Sequence, residues 1–177
     1  MDIGCCIGTD LRFMIYDKFV DLEGGDYIVG VDVEPEFYRV GFEIFEDEDQ
    51  FRDKFYPCDV LCESQVQGLK EARGPFNVVY CGSVFHLLQK EETETLARVA
   101  FELLEAGGVF FGRTGSQEAW GGFEVEAGDV EKYLHTMESF RALLEASGFE
   151  KITLELGQKN DLAKKRPMLA FTAYKPL

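Results

Sequence analysis

The first twelve residues constrain the fold of this chain more than any other stretch, because they combine a strand end, a glycine-containing turn and the start of a helix. Asp2, Gly4, Cys6 and Gly8 form the pattern D-x-G-x-C-x-G, which lacks the middle glycine of the usual form. Glycines let the backbone turn sharply and let a ligand approach its N–H groups, and the helix N-terminus that follows is electropositive. The stretch therefore predicts a site for a nucleotide-type cofactor.

Acidic residues follow the next two predicted strands. Asp32 ends the apolar run 27–31, at about the distance past the turn where a doubly wound sheet carries its ribose-binding acid. Asp59 stands at the end of the predicted strand 54–60. Each acid has a structural alternative as a helix-capping residue. Together with the turn, the two acids favour an adenosyl ligand, and their neighbours Val33, Cys58 and Val60 are predicted to line the same site.

Apolar runs alternate with helical periodicity along the whole chain, which predicts an α/β fold. The expected strands are 27–33, 54–60, 76–81 and 109–113, followed by a closing pair at 151–156 and 168–174 of which at least one is antiparallel. The expected helices are 9–20, 63–72, 137–147, one opened by Glu34 and Pro35, and one that starts near Glu91 and ends at Gly107–Gly108. Residues 114–135 are expected to be irregular. No linker divides the chain, so one domain over 1–177 is predicted.

The charge balance limits the partners of this chain. Its 177 residues carry 18 Lys and Arg against 33 Asp and Glu, a net charge of −15, which repels a nucleic-acid backbone. The acidic run 43–53 is interpreted as a solvated helix end and linker. No apolar run is long enough for a membrane span and no signal peptide is evident, so we expect a cytoplasmic protein that acts on a small-molecule or protein substrate.

Five cysteines without a C-x-x-C pair indicate reduced thiols. Only two histidines occur and neither lies near Cys58 or Cys62, so no metal site is predicted.

The order of elements and motifs resembles the class I methyltransferases that use S-adenosylmethionine. The chain carries Asp2-x-Gly4-x-Cys6-x-Gly8, then Asp32, Asp59 and Gly82-Ser83 after successive strands. More narrowly, residues 2–12, 30–37, 82–88, 112–116 and 135–140 are similar to fungal methyltransferases of meroterpenoid and polyketide clusters. The resemblance implies a seven-stranded Rossmann-like sheet of order 3-2-1-4-5-7-6, S-adenosylmethionine as cofactor and a small-molecule acceptor. It places Gly82 and Ser83 at the methionine end of the cofactor.

Members of this family carry helices before the first strand, whereas this sequence starts inside it. We expect a chain without those helices to leave part of the acceptor pocket uncovered. Two hypotheses follow: an O-methyltransferase acting on a carboxyl or hydroxyl group of a polyketide or meroterpenoid, or a non-catalytic or partner-dependent protein that has lost its acceptor lid. A homodimer is left open.

The acceptor decides which side chains are needed. A carboxylate is already ionised and needs only donors to hold it, whereas a phenol gains from a general base. The candidates for these roles are His86, His135, Arg113 and Trp120. Each has a structural alternative: a buried histidine for His86, a loop residue for His135, a surface ion pair for Arg113 and a loop anchor for Trp120.

Overall fold

A computed structural model describes residues 1–21, 27–116, 123–127, 130–157 and 167–177. The contacts within the chain group into two compact units, Met1–Arg73 and Gly74–Leu177. The helices are α1 (Thr9–Tyr16), α2 (Glu36–Phe45), α3 (Glu48–Phe51), α4 (Glu63–Arg73), α5 (Lys90–Leu103) and α6 (Met137–Ala146). The strands are β1 (Asp2–Ile3), β2 (Gly30–Asp32), β3 (Phe55–Pro57), β4 (Phe76–Gly82), β5 (Leu104–Gly115), β6 (Phe123–Ala127), β7 (Val130–Leu134), β8 (Glu150–Leu156) and β9 (Met168–Tyr174).

The main sheet has seven strands in the order β3-β2-β1-β4-β5-β9-β8. Strand β9 runs antiparallel to both of its neighbours, as expected for the closing pair. The α/β class and the mixed seven-stranded sheet are therefore confirmed. The strand labels differ from the predicted order 3-2-1-4-5-7-6 because β6 and β7, which pair only with each other, lie between β5 and β8 in the chain.

In the first unit, three short parallel strands place their carboxyl ends side by side. Asp2 pairs in register with Gly30, and Asp32 with Pro57. Leu11 on α1 and Tyr38 on α2 pack into one buried apolar cluster with Phe51 and Phe55 among its other members. The cluster fixes both helices to the strands, which positions the turn that links β1 to α1.

In the second unit, aromatic side chains fill the space beside β5 and β9. Phe85, Phe110, Phe140 and Phe171 are buried, and their ring centroids lie 4.9–6.2 Å apart in mostly edge-to-face pairs. This geometry is favourable for aromatic rings. The packing holds the Phe85–Leu87 3-10 turn, which carries His86, against the sheet.

Several predicted elements differ from the structure. Helix α1 ends at Tyr16 rather than near residue 20, and Lys18 adopts a left-handed φ of 59° just beyond it. Gly107–Gly108 lie inside β5 and do not cap α5, which ends at Leu103 where the backbone becomes extended. The stretch 114–135, expected to be irregular, contains the β6–β7 hairpin.

Within the described part of the chain, no helix is both long and apolar enough to cross a membrane.

Candidate functional site

The turn after β1 has the left-handed backbone that its glycines suggested. Gly4, Cys6 and Gly8 all adopt positive φ, of 71°, 50° and 76°. The Gly4 amide donates to the Val31 carbonyl at 2.8 Å, and the Gly8 amide donates to the Cys5 carbonyl at 2.8 Å. The turn is thus tied to β2 at its start and closed on itself at its end.

Glycine is required at the end of this turn for a second reason. A Cβ on Gly8 would overlap the ring of Phe55 and lie 2.7 Å from Nη1 of Arg12. Because the space is filled by two buried side chains, no larger residue fits without moving the core. The absent side chain lets α1 start directly against β3.

Asp32 is buried, and its carboxylate is held by two backbone amides. Oδ2 accepts from the Cys6 amide at 2.9 Å, and Oδ1 accepts from the Glu34 amide at 3.1 Å. A carboxylate oxygen has two acceptor positions, so each oxygen retains capacity for a further donor such as a hydroxyl group. The structure therefore joins the glycine turn and the acid after β2 in one arrangement, as the sequence predicted.

Tyr38 is a supporting residue that the sequence analysis missed. Its hydroxyl accepts from the Asp32 amide at 2.7 Å and lies 3.1 Å and 3.2 Å from the carbonyls of Asp32 and Tyr56. Burial raises the pKa of this phenol far above its usual range, so it stays protonated and can donate. A tyrosine six residues after an acid forms no known motif, and only the fold brings its hydroxyl back to the strand.

Asp2 lies on β1 and is buried. Burial raises the pKa of its carboxyl group to about 7, and the charges of Asp10 and Asp32 act in the same direction. Three carboxyl groups thus lie around the turn, and Asp2 is only partly ionised near neutral pH.

Asp59 follows β3 and is half-buried. Its Oδ1 accepts from the Leu61 amide at 2.9 Å, and its own amide donates to Oε1 of Gln65 at 2.9 Å. The acid therefore shapes the turn into α4 but is not the residue directly before that helix. One carboxylate oxygen is thus committed to the chain.

The remaining predicted cofactor residues of the first unit differ in exposure. Cys58 is buried, and this burial raises the pKa of its thiol to about 11, so the side chain is neutral. Val60 is half-buried, and Val33 is 67% exposed. Val33 and Val60 thus offer apolar surface beside the two acids.

Arg12 and Asp47 form a buried ion pair that the sequence analysis also missed. Nε and Nη2 of Arg12 donate to the two carboxylate oxygens of Asp47 at 2.7 and 2.8 Å. Asp47 belongs to the acidic run 43–53, and the interpretation of that run as solvated was wrong at this position because the carboxylate is buried against a guanidinium. The charge pattern alone could not reveal a partner 35 residues away.

The second unit brings together Gly82, Ser83 and Arg113. Gly82 stands beside Arg113 in the β4–β5 register, and the Ser83 amide donates to the Arg113 carbonyl at 2.7 Å. Ser83 adopts a positive φ of 65° where the chain leaves β4. The Arg113 side chain is exposed, and it makes no ion pair among the described residues.

His86 is half-buried and its ring orientation is fixed by β5. Its Nδ1 accepts from the Gly115 amide at 3.2 Å and lies 3.4 Å from Oγ1 of Thr114. A backbone amide can only donate, so the proton of the neutral ring belongs on Nε2.

His135 lies within a network of hydroxyl groups and is 5% exposed. Its Nε2 is 3.1 Å from Oγ1 of Thr93, which itself donates to the Lys90 carbonyl, so Nε2 carries a proton and Nδ1 accepts from Ser139 at 3.2 Å. Burial lowers the pKa of His135 to about 4, and the Lys90 charge acts in the same direction. The ring is therefore neutral at physiological pH.

An open groove of about 900 Å³ runs between α5 and α6, and His135 and Tyr133 are among the residues that line it. Lys90 and Arg98 line it together with Glu91 and Glu94, so its charges are balanced. Trp120, the fourth acceptor candidate, lies outside the described residues, as does the basic loop around Lys164.

Known proteins resemble this chain in sequence. It is 30% identical to O-methyltransferase phiE of a fungal species over 146 residues, which are 81% of this chain and 47% of phiE. It is 27% identical to methyltransferase adrK of Penicillium rubens over 95% of this chain and 61% of adrK. The chain thus spans about half to three fifths of the length of these curated relatives. No protein-family model matches it.

Solved structures resemble it in fold. Phosphoethanolamine N-methyltransferase 2 of Haemonchus contortus, solved with S-adenosyl-L-methionine, matches with a TM-score of 0.67 and 17% identity over 99% of this chain and 48% of that one. The 1,6-didemethyltoxoflavin-N1-methyltransferase of Burkholderia thailandensis matches with a TM-score of 0.69 and 17% identity over 99% of this chain and 70% of that one. In sequence the chain resembles fungal methyltransferases, and its fold is that of S-adenosylmethionine-dependent methyltransferases.

Proposed function

We propose that the first unit binds S-adenosylmethionine and that the protein is an O-methyltransferase. The observation that carries the proposal is the junction of Asp32 with the turn through the Cys6 amide, at the carboxyl ends of parallel strands. Asp32 would accept from the ribose hydroxyls, the turn from Gly4 to Gly8 would meet the amino-acid portion, and Asp59 would accept from the adenine amino group. Val33, Cys58 and Val60 would line the adenosyl portion.

The residues around the turn fit such a cofactor. The turn has no side chain larger than a thiol between Gly4 and Cys6, and the Asp32 oxygens retain acceptor capacity beyond their two amide donors. Burial of Asp32 favours a ligand whose hydroxyl groups donate, because a buried carboxylate needs donors.

The bound cofactor supplies a methyl carbon on a positively charged sulfur, which an oxygen nucleophile attacks in line. The histidines favour a carboxyl acceptor over a hydroxyl. Both ring nitrogens of His135 face hydroxyl groups, and Nδ1 of His86 accepts from a backbone amide. Neither arrangement suits proton abstraction, whereas the exposed guanidinium of Arg113 is a donor suited to holding a carboxylate, and His86 would act by positioning. His135 would act by positioning.

The curated relatives support fungal secondary metabolism as the setting. One is named Asnovolin E/Chermesin D methyltransferase nvfJ, of Aspergillus novofumigatus, and it is 22% identical over 91% of this chain and 58% of its own length. We therefore place the acceptor among polyketide or meroterpenoid acids. Five free thiols support a cytoplasmic location, and a homodimer stays a prediction.

Replacing Asp32 with asparagine tests the cofactor site. We expect the affinity for S-adenosylhomocysteine to fall by about one to two orders of magnitude, because hydrogen bonds to charged groups contribute roughly 1.5–3 kcal/mol. Asparagine keeps the size of the side chain but can accept from only one of the two backbone amides that hold Asp32, so a thermal melt accompanies the titration to show that the variant is folded. Calorimetric titration of the purified chain with S-adenosylmethionine and its demethylated product measures the effect.

The exposed Asp49 of α3 provides a matched control, because Asp49→Asn makes the same charge change away from the turn. Its affinity should equal that of the wild type. Equal affinity in Asp32→Asn would contradict the role given to Asp32, and no binding by a folded wild type would contradict the proposed function itself.

A further inference from the structure

The carbonyl side of the turn is held by three residues that no motif of the chain assigns to the cofactor. Arg12, Gly41 and Asp47 come from α1, from α2 and from the position before α3. We propose that these residues, here called the carbonyl clamp, position the turn for cofactor binding, with Arg12 as the positioning residue. The proposal rests on the proposed function, because it concerns the affinity of the same site.

Arg12 divides its donors between an anion and the turn. Nε and Nη2 bind Asp47, while Nη1 donates to the Ile7 carbonyl at 2.5 Å and lies 3.3 Å from the Gly8 carbonyl. A guanidinium is planar, so the bidentate pair with Asp47 fixes the direction of Nη1. The ion pair therefore fixes the donor that holds the Ile7 carbonyl oxygen, while the Gly8 carbonyl also accepts from the Arg12 backbone amide at 3.1 Å.

Fixing these carbonyls also fixes the amides on the other side of the backbone. Because a trans peptide group is planar, its N–H points opposite to its C=O. With the Ile7 and Gly8 carbonyls held toward Arg12, the amides of Gly8 and Thr9 point away from it. The Gly8 amide closes the turn on the Cys5 carbonyl, and the Thr9 amide is the first of α1. The first amides of a helix are the groups that meet an anionic ligand.

The surroundings of the pair argue against stability as its main contribution. The side chains of Arg12 and Asp47 are only 3% and 4% exposed, and the guanidinium lies 4.4 Å and 4.8 Å from the ring centroids of Phe45 and Phe51. A buried ion pair in such an apolar setting is often no more stabilising than apolar side chains of similar volume. What apolar residues could not supply is a donor aimed at Ile7 and Gly8.

Gly41 completes the clamp from α2. A Cβ at this position would lie 2.5 Å from the Ile7 carbonyl oxygen, so that oxygen packs directly on the helix backbone. Glycine inside a helix costs stability relative to alanine. Glycine at this position lets the turn pack directly on α2 at a cost in stability. That is consistent with a turn whose position is set by ligand binding.

The test replaces the pair by apolar residues. The double variant Arg12→Met/Asp47→Leu should remain folded, with a melting temperature near that of the wild type, since it leaves no buried charge unpaired. Its affinity for S-adenosylhomocysteine should fall about tenfold, which corresponds to about 1.4 kcal/mol. The exposed pair Arg39–Glu43 of α2 gives the matched control Arg39→Met/Glu43→Leu, whose affinity should not change.

Amide hydrogen exchange of the peptide 3–12 provides a readout that does not need the cofactor. We expect faster exchange in the double variant at the turn amides and unchanged exchange in β4, in a sample with a wild-type melting temperature. A merely structural role would lower the melting temperature without a selective change at the turn.

The outcomes separate the two proposals. If the wild type binds and the double variant binds equally well, the clamp is overturned and the proposed function stands. If the folded wild type does not bind, the proposed function fails and the clamp's role toward the cofactor fails with it.

If the double variant does not fold, Arg12→Lys replaces it, because lysine keeps the charge but lacks the planar set of donors. Wild-type affinity in Arg12→Lys would overturn the clamp, and a loss of affinity supports it.

Discussion

Replacing Gly8 with alanine is expected to lower the free energy of unfolding by about 2–5 kcal/mol and to abolish measurable cofactor binding. Two costs add at this position. A left-handed φ of 76° is unfavourable for an L-residue by roughly 1–2 kcal/mol, and overpacking of a filled core costs typically about 1–3 kcal/mol. The added methyl group overlaps the Phe55 ring and Nη1 of Arg12, so relief requires movement of the turn itself.

Gly68 in the middle of α4 supplies the matched control. A Cβ there meets only the Tyr56 hydroxyl, at an ordinary distance of 3.7 Å, and the helical φ is favourable for alanine. Gly68→Ala should therefore stabilise the protein by about 0.5–1 kcal/mol. Urea unfolding of both variants gives the free energies, and titration with S-adenosylhomocysteine gives the affinities. A Gly8→Ala variant as stable as the wild type would contradict the packing described for the turn.

The arrangement of strands and helices was predictable because local patterns decide it. Apolar runs such as 76–81 are too long and too uniform for a surface strand, and helical periodicity between them requires crossover connections that place parallel strands side by side. The carboxyl ends of those strands then lie at one edge, which is why Asp2 and Asp32 could be assigned to one site from the sequence.

The residues that support the site were not predictable in the same way. The partners Arg12 and Asp47 are 35 residues apart, and Tyr38 returns to Asp32 only because α2 packs back on β2. No spacing rule connects such positions. The β6–β7 hairpin was missed because each strand has only five residues and glycines at 121, 122 and 128 flank them, which favours an irregular stretch even though residues 123–127 alternate.

Acidification should destabilise the wild type in a way that depends on His135. The folded protein holds this histidine with a pKa of about 4, whereas an unfolded chain holds it at the ordinary value of 6.5. Between these values the unfolded state binds more protons, so the stabilisation is complete above about pH 6.5 and is lost as the pH falls through about 4. The difference of about 2.5 pKa units corresponds to about 3 kcal/mol at most.

The physical reason is that protonation would place a second donor where Nδ1 now accepts from Ser139, and would add a positive charge near Lys90 in a buried site.

His135→Gln keeps a hydrogen-bonding side chain of similar reach without a titrating ring, so its free energy of unfolding should fall less steeply between pH 6.5 and 4. Urea unfolding of both proteins at closely spaced pH values isolates this contribution, since all carboxyl groups are common to the two. If the two curves run parallel over this interval, His135 is not held neutral by its burial. A curve for the variant that flattens only in this interval would tie the acid sensitivity to the Thr93–His135–Ser139 network rather than to the acidic surface.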